Sequence, residues 1–184
     1  PRRSSDRDLG MGDLADVARK YPAVVQLLRS GSLGLTVHDV PSMLEAFNGV
    51  EGGPEFCKAV EDFLTKWGFR CPGEIDACTP RWRDNPLSLL QYVAGNLNAE
   101  EPGLHRKHFL QVRQEAEQLI VSMQNEVRQL NRIPGMGPLK SFIIGRLCHV
   151  SRSAAGLREH PKLYIIRSLN FARQTILTEA ERLQ

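Results

Sequence analysis

Between residues 104 and 132 the apolar side chains of Phe109, Val112, Ala116, Leu119, Ile120, Met123, Val127 and Leu130 recur at steps of three and four, close to a heptad. That period fits a single helix, and at 1.5 Å per residue roughly 28 residues span about 42 Å. A lone helix of that length has nothing to bury its stripe against, so the spacing predicts a partner helix. The partner follows Pro134-Gly135-Met136-Gly137-Pro138: from about Leu139 onward, Phe142, Ile143, Leu147 and Val150 repeat the pattern and are expected to face inward. The two together predict a long antiparallel helical hairpin.

The rest of the chain carries the same period in shorter pieces. Leu14, Val17 and Ala18, then Val24, Val25, Leu27 and Leu28, predict helix on either side of Pro22, which divides or kinks it. A small helix covers residues 40–47, and another opens at Pro54 with Phe56, Val60, Phe63, Leu64 and Trp67 as its stripe. Pro86 opens a third, with Leu87, Leu90, Val93 and Leu97 on one face. Past Pro161, which interrupts or restarts the helix there, Ile165, Leu169, Ala172, Ile176, Ala180 and Leu183 mark a final one. No strand alternation occurs, so the fold class is all-α, a helical bundle with the long hairpin and no substantial sheet. Residues 1–12, charged and holding Gly10 and Gly12, read as a disordered or extended tail, and residues 13–184 as a single helical domain. The last helix is still in pattern at Gln184, so the chain reads as a piece of a longer one.

Composition limits the function. At 184 residues, with 41% hydrophobic and 24% charged, the chain suits one domain with a sizeable core. A net charge of +3 spread along the sequence argues against nucleic acid, which calls for a basic excess or run. The four cysteines, Cys57, Cys71, Cys78 and Cys148, lack metal-site spacing and read as reduced thiols of a cytoplasmic protein. No apolar run is long enough for a membrane span, and no signal peptide opens the chain.

Residues 63–86 read FLTKWGFRCPGEIDACTPRWRDNP, an unusual density of aromatic and charged groups for a connector. Trp67, Phe69, Ile75 and Trp82 are expected to pin it to the core. Pro72-Gly73 suits a type II turn with positive φ at glycine, and Asn85 an N-cap ahead of Pro86. Arg70, Glu74, Asp76, Arg81, Arg83 and Asp84 alternate in sign. One reading pairs these charges with one another, as an anchored loop requires. The other leaves an arginine fork, with Trp82 beside it, free for a phosphate or carboxylate.

No complete catalytic set appears, and no metal site. His105 and His108 lie three apart without a further ligand at a suitable spacing. His149 falls in a helical pattern and reads as a partly buried structural histidine. In Gly135-Met136-Gly137-Pro138 the proline removes an N–H that a phosphate loop needs. Arg158 and Lys162, four apart, would share one helix face, either as a solvated basic patch or as two cations at the rim of a ligand pocket.

Three strings carry a family resemblance. WGFRCPGEID followed by PRWRDNP, the opening DVARKYPAVVQLL at residues 16–28, and Arg158-Glu159-His160-Pro161-Lys162 together resemble the central helical domain of rifamycin phosphotransferases, proteins often labelled phosphoenolpyruvate synthases. Trp67 stands where that family usually has tyrosine. A true phosphoenolpyruvate synthase would need a strand-helix barrel, of which this chain has no trace. The resemblance implies the C-terminal part of a substrate-binding domain, with Arg158 and Lys162 facing the ligand. It implies partner segments too: an ATP-grasp domain using ATP and Mg, and a mobile phosphohistidine domain. In that enzyme the β-phosphate of ATP passes through the histidine to a rifamycin hydroxyl, leaving AMP and phosphate. This chain by itself would be inactive and hold no cofactor. The competing reading is a stand-alone helical module that binds a protein partner along its hairpin.

Overall fold

A computed structural model describes residues 4–98, 102–130, 132, 134–135, 137–157 and 159–183. Among them every regular element is helical: α1 (Ser4–Arg19), α2 (Pro22–Arg29), α3 (Leu33–Thr36), α4 (Val40–Phe47), α5 (Gly53–Trp67), α6 (Leu87–Asn96), α7 (Leu104–Leu130), α8 (Gly137–Leu157) and α9 (Glu159–Arg182). The chain divides into two compact units: residues up to Leu104 together with those from Leu163 onward, and His105–Lys162.

In the first unit α1 packs on α2, α5 and α6, α2 on α6, and α4 on both α3 and α5. Met43, Phe47, Phe56, Val60, Leu89, Leu90 and Val93 form its buried centre, where the rings of Phe47 and Phe56 lie 5.1 Å apart. Burying one such side chain stabilises the fold by about 1.5–3 kcal/mol. Leu163 and Ile166 of α9 supply apolar contact from the far end of the sequence, Leu163 against this cluster.

Two local devices set the helix starts. Pro22 stands at the first turn of α2, where its missing N–H costs nothing. Asp39 closes a capping box on α4: its carboxylate accepts from the Ser42 N–H at 2.8 Å, and Ser42 Oγ accepts from the Asp39 N–H at 3.0 Å. These bonds hold the Asp39 carboxyl below its ordinary value, the Ser42 hydroxyl being the largest cause.

The segment expected as a tail is helical from Ser4, with Met11 and Gly12 buried. Gly10 there acts as a close-approach position. A Cβ at Gly10 would meet the Phe63 ring at 3.1 Å, so the bare backbone lets α1 lie against α5.

In the second unit α7 is 27 residues long, about 40 Å at the helical rise. Near the turn Ser141 Oγ donates to the Val127 carbonyl at 2.8 Å. Gly145 sits where an added Cβ would be 3.7 Å from Val127 Cγ1. The stripe of α8 expected to face inward does not: Phe142 is 72% exposed, and Ile143, Leu147 and Val150 are also exposed. Leu119 and Met123 on α7, Ile165 and Ile176 on α9, and Leu183 just beyond it are exposed as well. Two helices of a hairpin cover only one strip of each other, and periodicity fixes which residues share a face without saying what covers it.

Candidate functional site

The connector from α5 to α6 is fastened at both legs. Gly68 caps α5 through its N–H to the Leu64 carbonyl at 2.7 Å, and a Cβ there would strike that oxygen. The N–H groups of Trp82 and Arg83 donate to the carbonyls of Arg70 and Gly68, each at 2.9 Å, tying the outgoing leg to the incoming one. Asn85 Oδ1 accepts from the Leu87 N–H at 2.9 Å, but α6 begins one residue later than expected, with Pro86 rather than Asn85 at its N-cap.

Trp67 and Trp82 are buried, and Trp82 stacks obliquely on Phe63 with centroids 5.8 Å apart. Phe69 is half-buried under the Arg167 guanidinium, 5.1 Å from the ring centre. Ile75, expected as a fourth anchor, is 87% exposed. The turn also differs from expectation. It closes from the Gly73 carbonyl to the Asp76 N–H at 3.1 Å, and Gly73 is not in the left-handed region. That register throws Ile75 outward while polar bonds from Asp76 hold the tip. The Asp76 carboxylate accepts from the Cys78 N–H and the Thr79 hydroxyl, both at 2.8 Å. The Cys78 bond is the main cause holding its carboxyl below the ordinary value, with Thr79 and the Arg81 charge adding to it.

The charged residues separate into two kinds. Arg70 is buried and paired with Glu74, which Arg7 of α1 also approaches at 3.6 Å. Asp84 accepts the Arg81 N–H at 3.0 Å and the Arg173 guanidinium of α9 at 2.6 Å. Arg81 differs from these. It is fully buried, and its Nη1 donates to Cys71 Sγ at 2.7 Å, but Nε and Nη2 have no hydrogen-bond partner among the described residues. Those two nitrogens form one edge of the guanidinium, the edge that grips a carboxylate or phosphate side-on. The Trp82 indole N–H is likewise buried without a hydrogen-bond partner among the described residues.

Arg158 lies outside the described residues. Lys162, in the first turns of α9, is exposed. His149 is on α8 and exposed, not partly buried as expected.

A groove that the sequence did not reveal runs between α7 and α8, with a volume of about 490 Å³. Ile120, Met123 and Val127 give it an apolar floor, Gly145 and Cys148 line the α8 side, and Arg128 and Arg152 stand on its two walls. Residues 24 apart meet there because of the hairpin register, which periodicity alone does not supply.

By fold and site this is an all-helical module with a stapled loop and a ligand-sized groove. Residues 3–159 match the family described as the rifampicin phosphotransferase fourth domain, and the chain belongs to that family. It is 32% identical to the rifampicin phosphotransferase of Bacillus subtilis (strain 168), 34% to that of Streptomyces sviceus and 31% to that of Bacillus cereus, each over 98% of this chain. It spans about a fifth of the length of these curated relatives, 20% in each case.

Proposed function

We propose that this chain is the substrate-holding segment of an ATP-dependent, dikinase-type phosphotransferase acting on a rifamycin or a similar apolar, hydroxylated compound. The parent reaction converts ATP, water and the hydroxyl compound to AMP, phosphate and a phosphorylated product. Membership of the rifampicin phosphotransferase family carries this reading. The first turn of α8 holds Pro138, which has no N–H to give a phosphate. ATP and Mg belong to an ATP-grasp segment and the phosphoryl relay to a phosphohistidine segment, and this segment binds and orients. Arg158 and Lys162 take the polar groups of the ligand and apolar helix faces take its body. Arg70, Glu74, Asp76 and Trp82 serve as structure, and the open edge of Arg81 is the one buried anion-binding group of the loop. The parent works in the cytoplasm, in keeping with free thiols at all four cysteines and with described helices none of which is long and apolar enough to cross a membrane.

The test is steady-state kinetics of the complete enzyme with rifampicin, following AMP release. Arg158→Ala and Lys162→Ala each lower kcat/KM for rifampicin about tenfold or more, the scale of one charge-assisted hydrogen bond. Unchanged kinetics in folded variants contradicts the assignment.

The exposed stripe of α8, Phe142 and Leu147 above all, favours a second reading, a helical module for a protein partner. Sequencing the parent reading frame separates the two: flanking ATP-grasp and phosphohistidine segments favour the enzyme, and stop and start codons favour the module.

A further inference from the structure

We infer that the groove between α7 and α8 is a binding site for a small apolar organic anion, a molecule of two or three fused or linked rings carrying one acidic group. The site lies wholly within the second unit and depends neither on Arg158 and Lys162 nor on phosphotransfer. Its volume of about 490 Å³ is in the range that encloses such molecules. Ile120, Met123 and Val127 accept the hydrocarbon body, and Gly145 keeps the facing wall low. The charge around the groove is one-sided. Arg128 comes from α7 and Arg152 from α8, and no aspartate or glutamate lines the space.

Neither arginine has a hydrogen-bond or ion-pair partner among the described residues. Each presents a guanidinium that a carboxylate or sulfonate would satisfy, next to apolar walls that strengthen the bond. A partner helix is a poorer occupant. The apolar stripe it would need, Phe142, Ile143, Leu147 and Val150, is not part of the groove lining.

The lining also contains a reporter. Cys148 is half-buried in the groove, while Cys78 is exposed in the first unit. The probe is 1-anilinonaphthalene-8-sulfonate titrated into the purified 184-residue chain, with the uncharged N-phenyl-1-naphthylamine as comparison. The expected result is saturable binding at one site per chain. Affinity for the sulfonate falls about tenfold in the Arg128→Gln/Arg152→Gln double variant, while the neutral amine is unaffected. Gly145→Leu fills the groove and abolishes both. Saturating sulfonate slows maleimide labelling of Cys148 and leaves Cys78 labelling unchanged. Cys148 labelled at its free rate under saturating probe, or sulfonate affinity unchanged in the double arginine variant, overturns the inference. So does sedimentation showing the chain self-associated with Cys148 protected before any probe is added, since the occupant would then be a second copy.

Discussion

Arg173 of α9 donates through Nη1 to Asp84 Oδ2 at 2.6 Å, joining residues 89 apart in sequence, and the same oxygen receives the backbone N–H of Arg81. One carboxylate thus holds the C-terminal helix to the loop and fixes the turn that leads into α6. Both side chains are partly buried, so the pair is screened by salt less than an exposed one. Arg173→Ala is expected to cost about 1–3 kcal/mol. Asp84→Ala costs more, because it also strips the Arg81 N–H of its acceptor. Urea unfolding of both variants checks the order; a smaller cost for Asp84→Ala contradicts it.

The two buried arginines of the loop should respond in opposite ways. Arg70→Met breaks a buried pair and leaves Glu74 with only the more distant Arg7, at an expected cost of about 3 kcal/mol. Arg81→Met removes a buried charge whose Nε and Nη2 have no hydrogen-bond partner among the described residues, and should be neutral or stabilising. Denaturant midpoints of the two variants decide; equal losses would mean that Arg81 has a partner in solution.

Gly52 precedes α5 at φ 74°, and a Cβ on it would lie 2.0 Å from Tyr21 Cγ. Gly52→Ala should destabilise the first unit by more than about 1 kcal/mol, since backbone strain and the clash add. A thermal unfolding midpoint unchanged from wild type would contradict this.

The Asp76 carboxyl titrates below its ordinary value of 3.8 in the folded chain. A depressed folded value means that its stabilising contribution is complete above the unfolded pKa and is lost as pH falls through the folded one. Urea unfolding of wild type and Asp76→Asn should therefore differ at neutral pH and converge in acid below that window. A gap that stays constant into acid would contradict the bonding around Asp76.

Burial, with the charge of Glu61 adding to it, pushes the Cys57 thiol up to about 11. At neutral pH Cys57 should resist alkylation in the folded chain, as buried Cys71 should by lack of access, while exposed Cys78 reacts first. Mass spectrometry after brief maleimide exposure reads the order; early labelling of Cys57 would contradict the packing around it.

Much of the architecture was legible from sequence because apolar period and proline placement act locally. Phe56, Val60, Phe63 and Trp67 defined the buried face of α5, and Pro22, Pro54 and Pro161 marked helix starts. The errors came where a residue's role depends on its neighbours. Gly10 looked like part of a loose tail because glycine is permissive in isolation, and only the approach of Phe63 makes it a packing position. Ile75 looked like an anchor by hydrophobicity, but the turn register at Gly73 sends it outward. The pairing of Arg70 with Glu74 was foreseeable from their spacing; the link from Asp84 to Arg173, and the groove walls at Arg128 and Arg152, required tertiary register.

The most direct test of substrate holding is equilibrium binding of rifampicin to the complete enzyme without ATP, comparing wild type with the Arg158→Ala/Lys162→Ala double variant. The Kd for rifampicin should rise about tenfold or more while the Kd for ATP stays unchanged. An unaltered rifampicin Kd in a folded double variant would contradict the account.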